Sequence, residues 1–164
     1  MNITTFKEAK ANMENKIHIK KEATSCSECG APNVNGKNCW EQFLEVLAWE
    51  ADDPELLAEH FKTVASYNMQ HPSQFTDSVL TEFRSVFIEH LDNGIPIKEI
   101  RRRIGKVSEG KNRILKNESE RHPIRYYWKK TISDIYNLNQ PENAAQRVRD
   151  WAATIRQELN KNRF

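Results

Sequence analysis

All three cysteines of this chain fall between positions 26 and 39. That clustering constrains the fold more than any other feature. A secreted disulfide framework uses an even number of cysteines, whereas an odd number in one short stretch suits a reducing compartment and a metal ion. Cys26-Ser27-Glu28-Cys29-Gly30 is a CxxC followed by glycine, a spacing that lets a tight knuckle aim two thiolates at one ion. Cys39 adds a third sulfur at the start of an expected helix, where the helix dipole favours a thiolate. The same CxxC spacing serves thioredoxin-like redox chemistry, but no βαβ pattern flanks it here. Three ordinary buried thiols would share the spacing too. The expected ion is Zn2+, which needs a fourth ligand to complete a tetrahedron.

His60 and His71 are the candidates for that fourth position. On an unbroken helix they share a face but stand ~16 Å apart, so only one can reach the ion. If the first two helices pair antiparallel, the end of the second returns to the cysteine loop. His71 lies at that end. The expected ligand set is therefore Cys26, Cys29, Cys39 and His71, with His60 as the alternative.

Apolar spacing places helices on both sides of this argument. Asn38 can cap a helix with Trp40, Phe43, Leu44 and Leu47 on one side. Asp53 and Pro54 open a second helix carrying Leu57, Phe61, Val64 and Tyr67, which should end near Gln70 because Pro72 disfavours helix at His71. A third, from about Asp77 to Leu91, presents Leu80, Phe83, Phe87 and Leu91, with Asn93 and Gly94 as its stop. Pro96 opens a basic helix through about Ile104, and residues 105–125 read as a charged loop with a helical turn. A short helix is expected within 126–138. Pro141 opens a last helix, with Val148, Trp151, Ile155 and Leu159 on its buried stripe. The chain has only five glycines and six prolines, too few turn residues for a many-turned β fold. The expectation is an all-α small helical bundle with an N-terminal zinc-knuckle loop. A weakly helical or mobile arm occupies 1–25 and a single helical domain occupies 26–164.

No apolar run approaches the ~20 residues of a membrane span, and the lysine-rich start lacks the apolar core of a secretory signal. A cytoplasmic protein is expected. Charge is uneven: residues 98–130 carry a net +8 and the rest −6, and Glu41 to His60 contains seven acids and no Lys or Arg. Such asymmetry marks either a polyanion site or two solvated faces. Lys98 to Ile104 followed by Gly105 and Val107 to Lys116 has the outline of a helix-turn-helix with Arg113 or Lys116 toward a groove, though Gly110 weakens its second helix. Tyr126, Tyr127 and Trp128 beside Arg125 and Lys129 could stack on bases; core residues closing the bundle are the favoured reading.

The CxxCG knuckle, Cys39-Trp40, His60, Tyr67, Gln70-His71-Pro72 and the late Val148-Arg149-Asp150-Trp151-Ala152 together resemble an uncharacterised bacterial family of unknown function. That family carries a CxxCG knuckle, an H-x6-Y-x2-QHP element and a closing W-A helix. The resemblance covers roughly residues 26–160 and implies a bacterial source and a metal knuckle, with no assigned activity. A histidine expected in the third helix is replaced near Phe83, which disfavours a three-histidine catalytic centre. The leading expectation is a zinc-binding protein with a structural metal and unknown partners. The alternatives are a metal-dependent enzyme of DinB-like helical type and a nucleic-acid binder acting through 98–130.

Overall fold

The computed structural model describes residues 24–110 and 112–162. The arm expected at 1–25 therefore lies outside the described residues except for Thr24 and Ser25. Seven α-helices and no strand are present among the described residues: α1 Cys39–Trp49, α2 Pro54–Ala58, α3 His60–Met69, α4 Asp77–Asn93, α5 Ile97–Val107, α6 Ile132–Tyr136 and α7 Ala144–Glu158. None is long and apolar enough to cross a membrane.

Local chemistry accounts for most of the boundaries. Asn38 caps α1 in a reciprocal capping box with Glu41, which satisfies two otherwise orphaned amides. The Asp53 carboxylate accepts from the Glu55 and Leu56 amides, with Pro54 at the first helical position. Gly94, at φ +67°, ends α4 in the left-handed conformation that glycine adopts without a Cβ penalty.

α7 packs across α3 and α4, α1 lies on α6, and α5 lies on α4. The core is centred on Trp151, Tyr136, Phe87, Leu56 and Met69, all fully buried. Val148, Ile155 and Leu159 are buried beside Trp151, as the stripe of the last helix predicts.

Four local expectations need correction. The single helix expected from Asp53 to Gln70 is broken at Glu59, whose backbone leaves the helical region (φ −93°, ψ 7°). Its carboxylate is held there by Lys62 and by Arg149 of α7, so a tertiary tie overrides a continuous pattern. The last helix starts at Ala144 rather than Pro141, because Asn143 is left-handed at φ +59°. The side chain of Arg147 organises this turn by donating to the carbonyls of Ile135, Gln140 and Glu142.

The second helix of the supposed helix-turn-helix does not form among the described residues. α5 ends at Val107, and the chain then pairs in extended form with the segment before α4. Thr76 N–H donates to the Ile114 carbonyl (3.0 Å) and Lys116 N–H to that of Gln74 (2.8 Å). This strap spends on a neighbouring segment the backbone groups that a recognition helix would have paired internally. Finally, Tyr127 is not a core residue. It is 83% exposed with the Arg125 guanidinium 5.9 Å from its ring, while Trp128 packs against the core.

Candidate metal centre

The knuckle is built from backbone geometry. Cys26 N–H donates to the Ala31 carbonyl (2.9 Å) and Gly30 N–H to the Cys26 carbonyl (3.1 Å). Gly30 takes φ +82° to close this turn, a conformation that costs any residue with a Cβ. The turn aims amides at sulfur. Glu28 and Cys29 amides lie 3.4 and 3.5 Å from Cys26 Sγ, and the Ala31 amide lies 3.4 Å from Cys29 Sγ. These donors stabilise negative charge on the sulfurs.

α1 and α3 bring the other two side chains. Cys39 is the first residue of α1, and His71 follows α3 immediately before Pro72. Cys26 Sγ and Cys39 Sγ each lie 3.6 Å from His71 Nε2. One ligand atom from each of Cys26, Cys29, Cys39 and His71 falls within 4.8 Å of all the others, close enough to hold a metal ion. Cys26 is half-buried and the other three are buried.

Tyr67 orients this cluster from two directions. Its carbonyl accepts from His71 Nδ1 at 2.7 Å, so Nδ1 carries a proton and Nε2 is the ring nitrogen directed at the sulfurs. Its hydroxyl lies 3.6 Å from Cys39 Sγ, and its ring stacks on His71 with centroids 4.1 Å apart. In the sequence Tyr67 stands on a helix stripe and in the H-x6-Y-x2-QHP element, and neither pattern points to contact with the cysteines.

Two further supports escaped sequence reading. The Glu28 carboxylate is buried and accepts from Ser73 N–H (2.8 Å) and Ser73 Oγ (2.9 Å), clasping the knuckle to the turn that carries His71. Arg125 donates to the Cys26 carbonyl at 2.6 Å and lies directly over Gly30, where an added Cβ would meet its Nη2 at 2.3 Å. Both partners are distant in sequence, so no local signal could have announced them.

The crowding of these groups shifts their proton affinities in both directions. Hydrogen bonds from Cys29 and then Cys39 hold the Cys26 thiol far below the ordinary range. Sharing with Cys26 and Cys39, then burial, pushes Cys29 strongly up. Burial would lower His71, but the Cys26 and Cys39 sulfurs and the Tyr67 carbonyl reverse that and raise it to about 10. Burial, then the Cys39 charge, pushes the Tyr67 hydroxyl well up. Like charges crowded at this spacing repel one another, and a cation among them would relieve that repulsion.

His60 lies elsewhere. Its Nδ1 pairs with the buried Glu50 carboxylate at 2.7 Å and its side chain is 56% exposed. His90 pairs with the Ile95 carbonyl. Neither is in the cluster.

A model of a family of unknown function, DUF5946, matches residues 24–160. No curated protein and no solved structure matches the chain. The matched span begins just before the knuckle and runs past the end of α7, so it takes in all four cluster residues and every helix; the chain belongs to this family of unknown function.

Proposed function

We propose that Cys26, Cys29, Cys39 and His71 bind one Zn2+ and that this ion is structural, tying the N-terminal knuckle to the ends of α1 and α3. The observation that carries the reading is the spacing between sulfur and nitrogen. Tetrahedral zinc, with Zn–S of about 2.3 Å and Zn–N of about 2.0 Å, puts adjacent S and N atoms about 3.5 Å apart. The Cys26 and Cys39 sulfurs both lie 3.6 Å from His71 Nε2, and the Cys29 sulfur lies within 4.8 Å of it. Soft thiolates with one imidazole are the donor set of closed zinc sites, and they suit calcium or magnesium poorly. Four protein ligands leave no position for substrate or water, which is what a catalytic zinc requires. Three free thiols in such proximity fit a reducing compartment, in keeping with a cytoplasmic protein.

The purified protein should carry close to one zinc per chain by elemental analysis. Cys26→Ser, Cys29→Ser and His71→Ala should each lower that content and the melting temperature, because binding energy at a structural site is folding energy. His60→Ala should keep its metal. Full zinc occupancy in His71→Ala would move the fourth ligand away from His71 and reopen a catalytic reading.

A further inference from the structure

A cleft bordered by Phe61, Val64 and Asn68 of α3 includes none of the residues of the cysteine cluster. Only Ile100 of α5 is buried, and the helix is otherwise anchored to α4 by Arg103, which pairs with Glu82 and Glu89. Between α5, α3 and the strap that ends at Lys116 lies a cleft of about 460 Å³, within the size range of small-molecule sites. Phe61, Val64, Phe75, Val79, Phe83 and Ile104 form its apolar walls.

Three observations say what chemistry fits it. First, Arg101 is the only charged side chain among the described residues that line the cleft. Arg102 is gripped by Glu99 through two hydrogen bonds (2.7 and 2.6 Å) and Arg103 by two carboxylates, yet Arg101 has no ion pair or hydrogen bond among the described residues. Second, Asn68 lines the same cleft with its Oδ1 accepting from Gln74 (3.2 Å), which leaves its amide hydrogens to donate. Third, Gly105 faces the cleft from inside α5, and a Cβ there would meet nothing within 4 Å. A glycine inside a helix costs about 1 kcal/mol relative to alanine, and no packing in the protein requires it. A larger side chain at this position would extend into open space beside the cleft.

We propose that this cleft binds a single-chain carboxylate of fatty-acid type. The tail lies along the phenylalanine walls and the carboxylate pairs with Arg101, whose planar guanidinium matches a carboxylate in two-point geometry. The apolar walls select the tail, and the one uncompensated positive charge selects the anionic head.

The test is calorimetric titration of the full-length protein, as purified, with decanoate, decanol and decyltrimethylammonium, all below their micelle concentrations. Decanoate should bind saturably at one per chain and about tenfold more tightly than decanol, a ratio worth 1.4 kcal/mol, and the cation should not bind. Arg101→Ala should weaken decanoate to the level of decanol and leave decanol unchanged. Gly105→Phe fills the cleft and improves helix propensity, so it should melt no lower than the parent and lose both ligands. The absence of saturable decanoate binding by the parent protein would overturn the proposal. So would a folded Gly105→Phe protein that binds decanoate undiminished, or an Arg101→Ala protein with unchanged preference for decanoate.

Discussion

Tyr67 does more at the cluster than any residue that is not itself a candidate ligand. One residue supplies the carbonyl that sets the His71 tautomer, the hydroxyl that meets Cys39 and the ring that covers the imidazole. The cost of this crowding is protons. At neutral pH and without a cation, Cys29 is held up by its sulfur neighbours and His71 is raised to about 10, so both keep their protons. A bound ion requires them deprotonated. Groups with raised pKa values must therefore surrender protons on loading, and zinc affinity must rise with pH through the neutral range. Loading the metal-free protein with zinc at pH 7 in weak buffer should release more than one proton per ion, read by an indicator dye. Release of none would mean that the ion sits elsewhere.

At the scale of elements, α1 shows where sequence reading reached and where it stopped. Its start was legible, because Asn38 and Glu41 form a cap that needs only local chemistry. Its buried face was not. The apolar stripe points to Trp40, Phe43, Leu44 and Leu47, yet the buried residues are Cys39, Gln42, Phe43 and Val46, and Trp40 and Leu44 are about half exposed. The helix is rotated by about one residue from its apolar stripe. Cys39 must face the cluster, and Gln42 Nε2 must reach the Pro32 and Lys37 carbonyls (2.9 and 3.0 Å). Polar anchoring to the knuckle outweighs the exposure of two large side chains. Gln42→Leu, although more apolar at a buried site, should therefore destabilise the protein by about 1–3 kcal/mol by removing both of these hydrogen bonds between α1 and the knuckle, whereas Leu44→Gln should stay within about 0.5 kcal/mol. Denaturant melts of the two variants decide between stripe and anchor. The same logic explains the break at Glu59 and the late start of α7, since Arg149 and Arg147 act across long separations that periodicity does not encode. Cysteine spacing and the expected antiparallel pairing of two helices pointed to the four residues that lie together here, with His60 as the alternative, because those residues sit at chain punctuation. Glu28, Arg125 and the second role of Tyr67 were not legible.

For the whole molecule, α7 is the centre of mass of the core. Trp151 is fully buried with α3 and α4 around its helix, so Trp151→Ala should cost about 3–5 kcal/mol, a large part of the total stability of a domain this size. An unchanged thermal midpoint would contradict that packing. The cluster contributes differently. Cys26 and His71 are 45 residues apart, so an ion joining them would close the whole of α1, α2 and α3 into a ring. In the chain-entropy account of cross-links, a ring of that length is worth about 4 kcal/mol, and that energy comes from restricting the unfolded chain rather than from contacts in the folded one. The ion would then act as a reversible staple on a core that already includes Cys29, Cys39 and Tyr67 together with Trp151. Removing it should enlarge the population of unfolded chain at equilibrium while leaving the surroundings of Trp151 as they are.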